Sequence, residues 1–239
     1  MKIYTIGCSF TYGDELSNPT KTSWPALLQE KYKCQLINDA VNGGSNQRTV
    51  YRLIKSLQEN FDLSIVAWTT YSRFTFYKSN NNNEVNFNPQ LNSPIFNNNT
   101  LFKNWGETLY RVWYNELYAF KLWLQQIIQL QSLLKHKNYL MINTMPNQLS
   151  SWLVPADKFI ESTKHMVNID HMNDEQLLAE YREIQYYVSL IDTTKFYKWA
   201  DFAITELKSS FETGPGGHIL EKGHAHLANL IYNHINVQN

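Results

Sequence analysis

The first 68 residues alternate short apolar strands with amphipathic helices, and this order constrains the fold more than any other feature of the chain. Residues 2–6, 34–37 and 63–68 are predicted strands, and the last is almost entirely apolar, as in a strand that is buried on both faces. Between them, residues 24–32 and 49–57 carry apolar side chains at helical spacing. This order predicts an α/β fold with a parallel sheet and right-handed crossovers.

The rest of the chain continues this pattern. The further predicted elements are one long helix or two in series at 105–136, strands at 139–142 and 187–191, and helices at 195–211 and 220–235. Helices on both sides of buried strands predict a three-layer α/β/α sandwich with a central, mainly parallel sheet of about five strands. The length suits one domain over residues 1–239.

Residues 78–104 interrupt the pattern. They are rich in Asn, contain two prolines and show no apolar period, so they are predicted to form a long loop inserted in the domain. Two interpretations stay open, a lid over a binding site and a low-complexity insertion without a role.

Composition excludes several classes of function. Lys plus Arg and Asp plus Glu are equal at 21 each, whereas nucleic-acid binding usually shows a basic surplus, so we expect no nucleic-acid partner. No apolar run approaches the roughly 18 residues of a membrane span. Cys8 and Cys34 form neither a disulfide framework nor a metal motif, and the spacing of His218, His224 and His226 matches no zinc signature. We therefore expect no metal, no cofactor and no membrane association.

The N-terminus enters a strand at once, without the apolar region of a signal peptide. The expected location is therefore the cytoplasm. The abundance of Asn and the excess of Lys over Arg are typical of AT-rich genomes, among them viral, parasite and symbiont genomes.

A single serine stands directly after the first strand. The turn G-C-S-F-T-Y-G at residues 7–13 carries Ser9, at the edge of a parallel sheet where ligands bind. A serine in this place can expose its hydroxyl and leave its own N–H free to stabilise a developing oxyanion. A polar turn after any first strand of an α/β fold has a similar sequence, and that alternative stays open at this point.

Other candidate residues follow the ends of the neighbouring strands. Gly43 and Gly44 follow the second strand, and Thr70 follows the third, so all three are expected at the same edge as Ser9. His218 ends a glycine-rich loop just before the last helix, where it could serve as a general base for a distant serine. The alternative is a solvated loop histidine.

Taken together, these motifs resemble the SGNH/GDSL hydrolase family over nearly the whole chain. The family's nucleophile block, G-x-S-x-x-x-G, is similar to residues 7–13. Its second block, an Asn followed five residues later by an oxyanion-hole Gly, is similar to Asn38 and Gly43. Its last block, a catalytic His that is often followed by a Gly-His pair, is similar to His218 and residues 223–224.

The resemblance implies an SGNH/flavodoxin-like fold and a serine esterase without a cofactor. Ser9 would be the nucleophile and His218 the base, and the N–H groups of Ser9 and Gly43 would hold the oxyanion with help from Thr70. The implied substrates are small O-acyl esters, including O-acetyl groups on a carbohydrate. Gly44, Asn46 and Arg73 are the candidate substrate-binding residues.

Two positions depart from the family pattern. Thr70 stands where the family has an Asn that helps to bind the oxyanion, and its shorter hydroxyl can donate only one hydrogen bond. Arg73 or Asn46 could supply a replacement donor. Pro215 stands three residues before the histidine, where the family has the acid of the triad, so a backbone carbonyl, Glu212 or an acid from elsewhere must orient the imidazole.

These departures keep two further functions open. One is a non-catalytic SGNH-like protein that binds a glycan or another ligand without turnover. The other is an O-acyltransferase that uses the same Ser–His chemistry with a sugar hydroxyl as acceptor.

Overall fold

A computed structural model describes residues 1–77, 84–87, 105–146, 152–164, 166, 169 and 171–238. Within these residues the strands are β1 (Lys2–Ile6), β2 (Gln35–Asn38), β3 (Leu63–Trp68), β4 (Phe74–Tyr77), β5 (Glu84–Phe87) and β6 (Tyr139–Asn143). The α-helices are α1 (Ser9–Tyr12), α2 (Pro19–Thr22), α3 (Trp24–Tyr32), α4 (Asn46–Ser56), α5 (Glu116–Leu133), α6 (Ala156–Thr163), α7 (Asp174–Ser189) and α8 (Glu221–Gln238).

The predicted α/β class is confirmed, because a parallel sheet forms the centre of the molecule. Its strands lie in the order β2-β1-β3-β6, and every pairing is parallel. Side chains alternate along each strand, so Tyr4 and Ile6 of β1 join one hydrophobic cluster and Ile3 joins another. Helices α4, α5 and α7 cover the first face, while α3 and α8 cover the second.

The predicted fifth strand at 187–191 is wrong. Most of this segment is the last turn of α7, which begins at a capping box between Asn173 and Gln176 and continues to Ser189. Four strands form the described sheet. Beside β6, the place of a fifth strand is taken by one isolated parallel bridge between Met141 and Phe196.

One further predicted helix is wrong, and another is confirmed in one of the two forms predicted for it. Residues 195–211 form no continuous helix, and two 3₁₀ turns, Thr193–Lys195 and Ile204–Ser209, lie in and beside this segment. For 105–136 the structure shows two helices in series. The first covers 105–113 and is a π-helix over Leu109–Trp113, and the second is α5. The division falls before Asn115, whose side chain caps α5 by accepting a hydrogen bond from the Tyr118 N–H.

Most of the Asn-rich segment at 78–104 lies outside the described residues. The described part includes β5, which pairs antiparallel with β4, so this piece is a strand and not the predicted loop. Among the described helices, none is both long enough and apolar enough to cross a membrane.

One buried histidine joins the two helices on the second face of the sheet. His224 of α8 is fully buried, and its Nδ1 accepts a hydrogen bond of 3.1 Å from the N–H of Trp24 at the start of α3. The other ring nitrogen is also buried and has no hydrogen-bond partner among the described residues. Burial in this apolar environment lowers the pKa of His224 to about 4.

This burial predicts a pH-dependent stability. Because the unfolded histidine has a pKa of about 6.5, the unfolded state takes up a proton before the folded state as the pH falls. The contribution of His224 is therefore fully present above pH ~6.5 and is lost progressively towards pH ~4. We expect His224→Asn, which keeps an acceptor for the Trp24 N–H but does not titrate, to flatten the dependence of Tm on pH between 7 and 5.

The control is His226→Asn, because His226 is exposed on the same helix. It should leave the slope of Tm against pH as in the wild type. An unchanged slope in His224→Asn would show that another group controls stability in this range.

Candidate active site

Ser9 lies at the start of α1, directly beyond the carboxyl end of β1. The residue is only 3% exposed, and within the described part of the chain its N–H donates to no acceptor. The preceding Gly7 allows this turn to approach β3, because a Cβ on Gly7 would lie 2.5 Å from Thr11 Oγ1 and 2.9 Å from the Cβ of Ala67. Glycine is needed here for close packing between the strand end and its neighbour.

His218 reaches Ser9 from the other end of the chain. Its loop is closed by hydrogen bonds from the Gly214 N–H to the His218 carbonyl oxygen and from the Gly217 N–H to the Gly214 carbonyl oxygen, both 2.9 Å. Gly217 has a φ of 79°, which favours glycine. The ring packs 4.6 Å from that of Phe10, and His218 Nε2 lies 2.8 Å from Ser9 Oγ.

The second ring nitrogen of His218 contacts Glu15, a residue that the sequence analysis did not identify. Nδ1 lies 2.9 Å from Glu15 Oε2, the N–H of His218 donates to the same oxygen at 2.9 Å, and the N–H of Gly216 donates to Oε1 at 2.5 Å. Of the alternatives proposed for orienting the imidazole, the structure therefore shows an acid from elsewhere. Glu212 is exposed, and its main-chain oxygen accepts the Leu220 N–H.

The backbone of Glu15 is left-handed, with a φ of 67°. Such a conformation costs a non-glycine residue about 1–2 kcal/mol, and strained residues of this kind cluster at functional sites. The sequence signal was the acidic pair Asp14–Glu15, which directly follows Gly13 in the turn that carries Ser9.

The hydrogen bonds on Glu15 favour its ionised form. Burial acts to raise the pKa of this carboxyl, but the donors from Gly216 and from the backbone and ring of His218 outweigh it, so the pKa of Glu15 is lowered. An ionised Glu15 can only accept a hydrogen bond, so Nδ1 carries the proton and Nε2 is the acceptor that faces the Ser9 hydroxyl. This is the tautomer that a general base requires.

A second carboxylate lies near the same ring without a hydrogen bond to it. Asp14 Oδ2 is 3.9 Å from His218 Nδ1 and accepts a hydrogen bond of 2.7 Å from Asn42 Nδ2. Asp14 thus adds negative charge beside the imidazole, whereas Glu15 fixes its orientation.

The glycine turn after β2 packs against the end of β1. Gly43 has a φ of 71°, and among the described hydrogen bonds its N–H has no acceptor. The N–H of Gly44 donates to the carbonyl oxygen of Val41 at 3.2 Å, and a Cβ on Gly44 would lie 3.0 Å from the Gly7 carbonyl oxygen. The N–H groups of Ser9 and Gly43 are therefore available, while that of Gly44 is engaged within the turn.

The polar residues beyond β3 have different surroundings. Both amide atoms of Asn46 bind the main chain of Thr69, at 2.8 and 3.0 Å, so this side chain holds the turn in place with its oxygen and one of its two N–H donors. The hydroxyl of Thr70 lies 3.0 Å from that of Ser72. Arg73 is 8% exposed, and its buried Nε and Nη1 have no hydrogen-bond partner in the part of the chain that the structure describes.

In the part of the chain that the structure describes, no cluster of three or more His, Cys, Asp or Glu side chains is suited to hold a metal ion. The arrangement at this edge of the sheet is instead a serine, an imidazole and a carboxylate in one hydrogen-bonded series. Such a series can activate a hydroxyl for attack on an electrophilic carbon.

No protein-family model matches the sequence, and no curated protein matches it. Similar solved structures include a member of the lipolytic G-D-S-L family from Veillonella parvula (13% identity, 98% and 97% of the two chains, TM-score 0.46). The esterase EstA from Pseudoalteromonas is similar over 100% and 99% of the chains, at 14% identity and a TM-score of 0.48. A lipase/acylhydrolase from Enterococcus faecalis is similar over 99% and 96%, at 12% identity and a TM-score of 0.47. These likenesses concern the fold alone.

The packing of Glu15 against the histidine loop predicts a role for Gly214. A Cβ at this position would lie 2.6 Å from Glu15 Cδ. Cβ atoms in proteins do not approach other non-bonded heavy atoms this closely, so one of the two groups must move. We expect Gly214→Ala to displace the carboxylate and break its bond to His218, with loss of the exchange-protected Nδ1–H resonance in ¹H NMR spectra.

Gly216→Ala is the matched control. Its Cβ would lie 3.1 Å from the same carboxylate, so a small shift can accommodate it and the resonance should persist. The same resonance in Gly214→Ala as in the wild type would contradict this account of the loop.

Proposed function

We propose that this chain is a serine-dependent hydrolase of small O-acyl esters. Ser9 is the nucleophile, His218 the general base, and Glu15 the acid that orients the imidazole. The observation that carries the proposal is the continuous series of hydrogen bonds from Ser9 Oγ through His218 to Glu15, at 2.8 and 2.9 Å. It unites a nucleophile, a base within hydrogen-bond reach and a third group that orients the base.

In the first half of the reaction, Nε2 of His218 accepts the hydroxyl proton while Ser9 Oγ attacks the ester carbonyl carbon. The carbonyl oxygen becomes an oxyanion, for which the N–H groups of Ser9 and Gly43 are the available donors. The imidazolium is stabilised by Glu15 through Nδ1. It then gives its proton to the departing alcohol oxygen as the C–O bond breaks, which leaves an acylated Ser9.

In the second half, water replaces the alcohol. Nε2 accepts a proton from the water, whose oxygen attacks the acyl carbon. The proton returns to Ser9 Oγ as the acid departs. If a sugar hydroxyl takes the place of this water, the same residues carry out acyl transfer.

The motif resemblance also supports a finer proposal, that the substrate is an O-acetyl group on a carbohydrate. Incubation with an acetylated oligosaccharide, with and without a free acceptor sugar, distinguishes hydrolysis from transfer. Release of acetate that does not depend on the acceptor supports the hydrolase. Acetyl groups that appear on the acceptor support the transferase.

The first prediction of this proposal concerns the nucleophile and the base. We expect Ser9→Ala and His218→Ala each to lower kcat for p-nitrophenyl acetate by about 10⁵- to 10⁶-fold. A fluorophosphonate probe should label Ser9 in the wild type, as detected by mass spectrometry, and should label neither variant at an appreciable rate. Wild-type protein that neither hydrolyses esters nor reacts with the probe would contradict the proposal and favour a non-catalytic binding protein.

The second prediction separates the two carboxylates beside His218. Glu15→Gln removes the negative charge and replaces one of two oxygens that both face donors by an NH2 group. We therefore expect kcat to fall by about 10³- to 10⁴-fold with little change in KM. Glu15→Asp should restore part of the activity, because it keeps the charge but shortens the side chain.

Asp14→Asn is the control, since Asp14 lies 3.9 Å from the same nitrogen without a hydrogen bond to it. We expect it to lower kcat by less than about tenfold, in the range of a screened charge interaction. Equal losses in Asp14→Asn and Glu15→Gln would show that charge alone matters and that Glu15 does not orient the ring.

A further inference from the structure

Two buried arginines in this chain differ in how their charges are balanced. Arg48 is 3% exposed, donates to the main-chain oxygen of Asp39 at 2.7 Å and to its carboxylate at 3.1 Å, and pairs with Glu84. Arg73 is 8% exposed, and no described carboxylate lies within ion-pair distance of it. Among the described residues, its Nε and Nη1 have no hydrogen-bond partner. Burial of an unpaired guanidinium is unfavourable. We therefore expect Arg73 to bind an anionic group that the described residues do not supply.

The backbone holds Arg73 beside the candidate active site. Its N–H donates to the carbonyl oxygen of Thr70 in the turn after β3, at 3.4 Å. Two residues further on, the hydroxyl of Thr75 lies 2.6 Å from that of Ser45. Ser45 caps α4 directly after Gly43 and Gly44. The segment from Arg73 to Thr75 therefore contacts both turns that border Ser9, the turn after β3 through Arg73 and the turn after β2 through Thr75.

The side chain of Arg73 is expected to share a face with that of Thr75, because alternate residues of an extended segment point the same way. Phe74 lies on the opposite face, where its ring contacts those of Tyr110 and Tyr114. Tyr110 is within electrostatic range of Arg73 but donates its hydroxyl hydrogen to the Ser72 carbonyl oxygen at 2.7 Å. The Thr75 face is the one directed at the start of α4 and the glycine turn.

We propose that Arg73 binds a carboxylate carried by the ester substrate, so that this site prefers anionic esters over neutral ones. The inference rests on the proposed function and specifies its substrate class. A guanidinium presents fixed N–H donors that suit a carboxylate. An acidic sugar is one substrate class of this kind, and an ester of a dicarboxylic acid is another.

The test compares esters that differ only in charge. Mono-p-nitrophenyl succinate carries a carboxylate on the acyl half, and its methyl ester is the neutral match. p-Acetoxybenzoate carries one on the alcohol half, and its methyl ester is again the neutral match. We expect the wild type to show a higher kcat/KM for the charged member of at least one pair. Arg73→Met should lower that charged-to-neutral ratio by about ten- to a hundredfold, and Arg73→Lys should restore part of it.

Two outcomes would overturn the proposal. A charged-to-neutral ratio that is the same in the wild type and in Arg73→Met would show that no carboxylate contacts Arg73. An equal loss on both members of each pair would show that Arg73 acts on the ester carbonyl that they share.

Thermal stability gives an independent readout, with Arg48→Met as the matched variant. Replacing a buried charge that has no partner is neutral or stabilising, whereas breaking a buried ion pair is destabilising. We therefore expect Arg73→Met to retain or raise Tm and Arg48→Met to lower it by several degrees. A fall in Tm as large in Arg73→Met as in Arg48→Met would show that the fold already balances the Arg73 charge, against the proposal.

A binding measurement separates this inference from the proposed function. In the Ser9→Ala variant, isothermal titration calorimetry with mono-p-nitrophenyl succinate and its methyl ester reports affinity without turnover. One outcome is that the charged ester binds more tightly than the neutral ester only when Arg73 is present, while the wild type hydrolyses neither ester. This outcome would contradict the proposed function and support the carboxylate site. If the wild type hydrolyses both equally and neither binds preferentially, the carboxylate site fails and the proposed function stands.

Discussion

The contact between the Glu15 carboxylate and the His218 loop joins the two ends of the chain, and the geometry of the site depends on it. One carboxylate accepts hydrogen bonds from two backbone N–H groups and one ring nitrogen that lie about two hundred residues away in sequence. A second link lies beside it, where the Ser17 hydroxyl donates to Glu221 at 2.8 Å. Because the same carboxylate binds both the loop backbone and the ring of His218, the position of the loop and the orientation of the imidazole are coupled.

The central sheet supplies the rest of the site by placing three turns at one edge. β1 lies between β2 and β3, so the turn that carries Ser9 is flanked by the turns that follow both neighbours. Gly7 and Gly44 lie where these turns approach one another, and a side chain at either position would meet main-chain atoms at 3.0 Å. The glycines are thus required by close packing between strand ends.

Much of the fold could be predicted because its signals are local. The bounds of β1, β3 and α3 agree with the apolar patterns in the sequence, since buried strands and amphipathic helices differ in period. The apolar run at 187–191 was ambiguous because it is too short to show either period. A short run suits either a strand or the end of a helix, and the capping box at Asn173, fourteen residues before that run, begins the helix that includes most of it.

By itself the sequence determined the alternation of strands and helices, and with it the edge of the sheet where Ser9, Gly43 and Thr70 lie. It also indicated His218, through a glycine-rich loop before the last helix. Only the tertiary structure decided which acid meets the imidazole, because Glu15 and His218 are brought together by a left-handed backbone and a loop closure that leave no periodic pattern. Likewise, only the packing of the chain shows which buried arginine has a carboxylate partner. Ion pairing depends on the distances between side chains, and these distances cannot be predicted from spacing in the sequence.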